Sequence, residues 1–468
     1  MFASTTSATR PRRHKPAGSA AEPVRRGAWF QLALVTVGFA INFWAWALIS
    51  PLGPLFSPDK HKLAPAAYDK ALHWLPFSDH HPLTAGQASL LVAVPVVVGS
   101  LGRIPVGALT DKWGGRVMFP LVSAVTIVPV LVLGFWAQSS LVAMLIAGVF
   151  LGIGGTSFAV GVPFVNGWFP PERRGMAIGI FGAGMGGTAI SAFTTVNLFK
   201  SHGGSTPFVV VAVALALYAV AAHLLLRDAP ERAIPTTPLV KRLIGTAKLP
   251  VTWQAGVLYT IGFGGYVAFS VFLPLYLKNT YTLSAADAAT KMAGFVIIAV
   301  IMRPIGGTLA DRLGSVPVLA SCFAVVAGCA ALAAGEPPLH GYGTPVFLVL
   351  AGALGAASGA TFAFIAQVAD QARVGGVTGL VGAAGGLGGF VPPLVMAYIY
   401  SATRSYAIGM WLLAACSLGA LALAVTVVRH TALTAAAPPA GAASARRGLA
   451  DVPGTKGPAS HGCSDASV

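Results

Sequence analysis

Two arginines, Arg103 and Arg303, stand inside long apolar stretches of this chain, 200 residues apart. Arg103 precedes Asp111, the expected end of its helix, by eight residues. At a rise of ~1.5 Å per residue it lies ~12 Å within the apolar layer, and Arg303 holds the same place before Asp311. A charge at that depth costs at least ~2.5–3.5 kcal/mol to insert, so such a residue normally faces a cavity or a partner. All 14 Asp and Glu residues fall in a tail, a loop or the end of an apolar stretch. No carboxylate is therefore placed to neutralise either arginine. Two readings follow: the guanidinium groups bond only to backbone carbonyls and hydroxyls, or a small mobile anion is the missing counter-charge. The planar fork of guanidinium suits a planar oxyanion.

Other chemistry is sparse. No nucleophile, metal cluster or acid/base pair is arranged as an enzyme would need, so no catalytic residue is assigned. His61, His73, His80 and His81 share the segment 57–86, but their spacing fits no usual metal-ligand pattern, and a solvated loop is expected. Cys322, Cys329 and Cys416 lie in apolar stretches as buried filler and Cys463 in the C-terminal tail. With no C-x-x-C pair, neither zinc nor a disulfide framework is expected. No cofactor is implied.

The elements that must position the arginines are membrane spans. Of 468 residues 55% are apolar and only 9% charged, with mean hydropathy +0.75. A soluble domain carries ~25% charged residues, so this composition excludes a soluble globular enzyme and a disordered chain. About 20 apolar residues are needed per crossing. Twelve stretches qualify, at 29–52, 87–109, 117–137, 140–164, 173–197, 206–227, 253–277, 287–309, 316–335, 345–367, 375–399 and 407–428. The fold class is an all-α integral membrane protein of twelve transmembrane helices. Its parts are a tail 1–28, a six-helix bundle 29–227, a central loop 228–252, a second six-helix bundle 253–428 and a tail 429–468. The net charge of +16 reflects loops and tails rather than a nucleic-acid stripe. Of the 30 Lys and Arg residues, 21 fall in the tails and the loops on their side, and seven on the other side. That bias places both termini in the cytoplasm.

The two halves repeat at an offset of 200. Arg103-Ile-Pro-Val-Gly107-Ala-Leu109-Thr-Asp111-Lys112-Trp-Gly114 aligns with Arg303-Pro-Ile-Gly306-Gly307-Thr-Leu309-Ala-Asp311-Arg312-Leu-Gly314. Gly175, Gly179, Gly182 and Gly186 pair with Gly375, Gly379, Gly382 and Gly386. The spacing of 4, 3 and 4 puts these glycines on one helix face, where backbones can approach closely and one bundle can tilt on the other. Two facing six-helix units with a site near the midplane are the arrangement of a rocking transporter. Asp111 and Asp311, at the span ends, are expected to gate the cytoplasmic face, with Lys112, Arg116, Arg312 or Arg173 as partners.

The segment Gly107 to Arg116 resembles the cytoplasmic loop motif of the major facilitator superfamily. The chain resembles more specifically the nitrate/nitrite porter family. That likeness is carried by Asn42-Phe-Trp-Ala-Trp-Ala-Leu-Ile-Ser-Pro-Leu, by Gly102-Arg103-Ile-Pro with Met302-Arg303-Pro, by Gly154-Gly155-Thr-Ser157-Phe158-Ala159 on to Gly179, and by Thr378-Gly-Leu-Val-Gly382 on to Pro393. The resemblance implies the major facilitator fold, with Arg103 and Arg303 clamping the anion and the aromatic pair Tyr259 and Phe263 beside it. Ser157, Phe164, Gly182 and Gly187 stand where the family's signatures often carry asparagines. It also implies a multi-pass protein of the inner (plasma) membrane, working as a monomer in the lipid bilayer. Its substrates are then nitrate and nitrite, exchanged by alternating access. A proton-coupled nitrate symporter and a facilitator for another small anion such as formate are the alternatives. Exchange is favoured because no Asp, Glu or His lies mid-span to relay a proton.

Overall fold

The computed structural model describes residues 25–55, 83–230, 239–369 and 374–436. The histidine-bearing part of the 57–86 loop, Cys463 and most of both tails lie outside the described residues. Among the described residues the secondary structure is entirely helical.

Twelve helices are long and apolar enough to cross a bilayer. Spans 1 to 6 are Ala28–Gly53, Gly86–Trp113, Gly115–Phe135, Leu141–Trp168, Met176–His202 and Thr206–Leu225. Spans 7 to 12 are Pro250–Tyr281, Ala285–Leu313, Ser315–Ala334, Leu339–Val368, Gly376–Thr403 and Ala407–Ala432. They form two six-helix bundles. One face, here the base, carries the ends at Arg25 and Ala436, and the opposite face is the crown. Spans 7 and 10 are the most enclosed (78% and 89% buried), and spans 6 and 12 are the least (28% buried for span 12). The first pair therefore lies centrally and the second against lipid.

Several helices run further than their apolar runs. Span 7 extends to 281 and span 8 starts at 285, which brings Lys278, Asp287 and Lys291 onto helix ends at the crown. His202, His340 and His430 likewise fall on the ends of helical segments, alongside His223. The central segment holds a helix of its own, Leu239–Ala247, and a further helix, Arg429–Ala436, continues span 12 into the region expected as tail.

Local signals explain where the helices stop. Thr84 and Gln87 form a reciprocal cap at the start of span 2, Thr84 Oγ1 accepting from Gln87 N and Gln87 Oε1 from Thr84 N. Spans 2 and 8 both end on the repeated glycine of the loop motif. Gly114 has φ 85° and Gly314 φ 91°, a conformation that a side chain disfavours, so the repeat keeps glycine there.

The halves are not identical. Span 4 tightens to a 3-10 helix over Gly152–Thr156 and span 5 over Ala183–Gly186, while the matching stretches of spans 10 and 11 stay α-helical. At Gly152 an added Cβ would lie 2.5 Å from Pro95 O, and at Gly187 it would fall against Ala40 O. Spans 4 and 5 thus press backbone to backbone on spans 2 and 1.

The bundles meet where span 2 packs on span 11 and span 5 on span 8. At the crown, Ser50 Oγ donates across the interface to Val271 O (2.7 Å) and Ser270 O (3.1 Å). Toward the base a crevice of ≈ 50 Å³ opens between spans 2, 4 and 11 and the helix Leu239–Ala247.

Candidate functional site

Both arginines end in the interior of the protein, between the bundles. Arg103 is 3% exposed and Arg303 1% exposed. Arg103 Nη1 donates to Gly382 O (2.5 Å) in span 11, and its Nε to Gly155 O (3.4 Å) in span 4. Arg303 Nη2 donates to the Tyr259 hydroxyl (2.9 Å) in span 7, and its Nη1 to Met185 Sδ (2.9 Å) in span 5. Each guanidinium is thus held partly by the opposite bundle.

Neither arginine is paired with a carboxylate among the described residues. The acids they contain are used elsewhere. Asp228 accepts from Arg116 N (3.1 Å), Asp287 caps span 8 with Ser284, and Glu336 accepts from Ser405 Oγ (2.9 Å) at the crown. Asp111 and Asp311 sit at the base ends of spans 2 and 8. Asp111 lines the basal crevice, and Asp311 is exposed. The backbone N–H of Arg116 is the donor to Asp228.

An aromatic box separates the two cations. Tyr259 and Phe263 stack one helical turn apart, with centroids 4.8 Å apart and planes 3° from parallel. Phe362 meets Tyr259 edge-on at 4.9 Å. Phe158 lies opposite Phe263 at 6.3 Å and 22°. Arg103 Cζ is 5.2 Å from the Phe158 centroid and 5.4 Å from that of Phe263. Arg303 Cζ is 5.7 Å and 5.4 Å from the same two rings, and 5.7 Å from Phe362. Ring faces are electron-rich, so they hold guanidinium groups in a water-poor setting without neutralising them.

The glycine stripes face this interface. A Cβ at Gly179 would lie 3.4 Å from Pro304 Cα, at Gly182 2.8 Å from Arg303 Nε, and at Gly186 3.8 Å from Val300. In span 11, a Cβ at Gly382 would lie 3.3 Å from Phe158 and 3.9 Å from Arg103 Nη1, and one at Gly386 would collide with Ser100 Oγ. Gly379 has open space beside it. Gly175 and Gly375 lie at the base ends of helices Pro171–Gly182 and Val374–Thr403. Gly182 and Gly382 are matched in the repeat: Gly182 makes room for Arg303, while Gly382 makes room for Phe158 and offers its carbonyl to Arg103.

The arrangement sets two cations against aromatic walls, and the basal crevice reaches one side of it, at Arg103, Phe158 and Thr378. Three neighbours were missed in the sequence. Phe158 stands in a motif that carries the family likeness, but nothing in its spacing says that both arginines flank it. Phe362 has Val162 as its counterpart, and Met185 has Gly385, so the repeat does not point to them. Tyr259 and Phe263 do lie beside the arginines. The positions Ser157 and Phe164 face inward, Ser157 bonding Gly154 O (2.7 Å). Gln367 accepts from Ser315 Oγ (2.8 Å) at the base end of span 10, away from the arginines. The cysteines divide: Cys322 and Cys329 are buried, but Cys416 is exposed on span 12, which corrects its reading as buried filler.

The family model described as Major Facilitator Superfamily matches residues 35–393 and 255–454. A Mycobacterium tuberculosis protein named "Probable nitrate/nitrite transporter NarK2" is 43% identical over 415 residues, 88% of this chain and 98% of that protein. The Bacillus subtilis "Nitrite extrusion protein" is 32% identical over 399 residues, 84% of this chain and 93% of that one. Among solved structures, a bacterial homologue of the human lysosomal transporter Spinster, in an inward-facing and occupied conformation, superposes with TM-score 0.64 at 18% identity. It covers 89% of this chain and all of its own. The human organic anion transporter MFSD10 superposes with TM-score 0.67 at 15% identity, covering 86% of this chain and all of its own.

Proposed function

Because this chain belongs to the major facilitator superfamily, and within it to the nitrate/nitrite porter family, we propose that it is a secondary transporter that exchanges nitrate for nitrite. The observation that carries the reading is the pair of buried guanidinium groups, one from each bundle, flanking Phe158 with no carboxylate beside them. A monovalent oxyanion supplies the negative charge that the described residues do not.

Arg103 and Arg303 hold the anion from opposite bundles. Tyr259 accepts from Arg303 and keeps its own proton, which it donates to the anion. Phe158 and Phe263 set the shape. Their 6.3 Å centroid separation is within about 1 Å of twice a carbon contact distance, so a flat ion enters with little opening while a tetrahedral one does not. Nitrate and nitrite are flat, whereas sulfate and phosphate are not.

Exchange follows from electrostatics. An empty site leaves two cations in a poorly solvated interface, which disfavours the closed intermediate through which the bundles must pass. A bound anion offsets that cost, so the loaded carrier rocks readily and the empty one does not. In this crown-closed form the basal crevice leads to Arg103. We place the base in the cytoplasm of a cell whose inner (plasma) membrane the chain spans as a functional monomer. The glycine stripes of spans 5 and 11 form the smooth contact on which the bundles tilt, and Asp111 and Asp311 act at the basal gate.

Proteoliposomes preloaded with nitrite test this. They take up nitrate at a rate that a pH gradient does not change, and sulfate does not compete. Uptake driven by a pH gradient into nitrite-free vesicles would overturn exchange in favour of proton coupling.

A further inference from the structure

We propose that the Met185 thioether is the resident ligand of Arg303 in the empty carrier, a neutral group that the incoming anion displaces. The inference rests on the reading of Arg303 as an anion-binding residue and adds a specific competitor for it.

Met185 is fully buried, and its Sδ accepts from Arg303 Nη1 at 2.9 Å. It sits on the 3-10 turn Ala183–Gly186 in the middle of span 5. Its backbone is fixed from across the interface. The Tyr266 hydroxyl of span 7 donates to Met185 O (3.2 Å) and shares a 2.9 Å hydrogen bond with Thr188, whose Oγ1 also bonds Met185 O (3.0 Å). The backbone is therefore anchored while the side chain keeps its three rotatable bonds.

The contrast with the other arginine gives this contact its meaning. Arg103 Nη1 donates to the carbonyl of Gly382, which cannot leave without distorting span 11. The repeat counterpart of Met185 is Gly385, where the Tyr259 ring fills the space that a side chain would need. One guanidinium thus has a fixed acceptor and the other a movable one. A thioether is a weak acceptor. It satisfies a buried donor when nothing better is present, and it yields to an oxyanion, whose charge-assisted bond is about twice as strong. Arg303 is thereby the arginine whose hydrogen bonding is rearranged on loading.

Two substitutions of similar volume separate this role from packing. Met185→Leu keeps the bulk and removes the acceptor, so the anion displaces nothing. Its nitrate dissociation constant falls by roughly three- to ten-fold. The empty carrier then holds an unpaired donor, so the ratio of nitrate/nitrite exchange to net nitrate flux in proteoliposomes rises. Met185→Gln supplies a stronger acceptor, and the dissociation constant rises by at least about three-fold. The measurement is nitrate titration of the purified full chain, with ligand-free melting of each variant alongside. Opposite shifts for Leu and Gln support the proposal. Weaker or unchanged binding in Met185→Leu, with wild-type binding intact, overturns this proposal alone and leaves the transport reading standing. A wild-type chain that binds neither nitrate nor nitrite overturns both.

Discussion

Replacing Gly182 by alanine puts a methyl group in place of one hydrogen at a crowded point of the interface. The new Cβ would stand 2.8 Å from Arg303 Nε, 3.1 Å from Cζ and 3.2 Å from Cδ. Optimal carbon contacts are ~3.5–4.0 Å, so the guanidinium must retreat by about 0.6 Å or more. An arginine side chain is flexible, but this one is hemmed by Phe158, Phe263 and Phe362, each within 5.7 Å of Cζ, and by Tyr259. The retreat lengthens the Arg303–Tyr259 bond beyond useful range and misplaces the fork that meets the anion. Losing one hydrogen bond to a charged group costs ~1.5–3 kcal/mol, or about 10- to 150-fold in nitrate affinity. The helix itself gains, since alanine is preferred to glycine in a helix interior by ~0.5–1 kcal/mol, so the variant folds and inserts. Gly382→Ala is the control, because its Cβ meets Phe158 at 3.3 Å and Arg103 Nη1 only at 3.9 Å. It loses less than about threefold, and Gly379→Ala, with open space beside it, loses nothing. Nitrate titration of purified protein and exchange in proteoliposomes read both quantities. Affinity within threefold of wild type for Gly182→Ala, or an equal loss in Gly382→Ala, would refute the reasoning.

Arg103→Lys keeps the charge but cannot reach Gly155 O and Gly382 O together, so exchange falls on the order of 100-fold, close to Arg103→Ala; normal transport by the lysine variant rules out a geometric clamp there. Tyr259→Phe removes both the acceptor for Arg303 and the proton offered to the anion, and nitrate binding weakens by about tenfold, as measured by titration. In a Cys463→Ser background, a membrane-partitioning thiol reagent modifies Cys416 and spares Cys322 and Cys329, as mass spectrometry of the labelled peptides would record.

The spans were legible because water excludes long apolar runs, and Arg103 and Arg303 were legible because charge inside such a run is conspicuous. Less could be read of what surrounds them. Lipid is as apolar as a helix interface, so a membrane helix need not show which side faces its neighbours. Cys416 and Cys322 therefore look alike in sequence, yet one faces outward and the other inward. Phe158 and Phe362 are hidden for the same reason, as two phenylalanines among 25. The glycines Gly154 and Gly155 announce close packing but not the 3-10 turn that they permit. The central helix was within reach: Leu239, Leu243 and Ile244 alternate with Lys241 and Arg242 at helical spacing, a pattern overshadowed by the segment's charge.

The crossed seating of the arginines bears on the origin of the molecule. Arg103 reaches across to the peptide oxygen of Gly382, and Arg303 packs into the gap at Gly182, its counterpart in the repeat. Two identical copies of an ancestral half, docked about a twofold axis, would each have reached a cation across to the same glycine of the other. Such a dimer would hold a doubled socket, which a connector between the halves then preserves in one chain. In a single chain the two sockets need not match, and here one closes on a peptide oxygen and the other on sulfur.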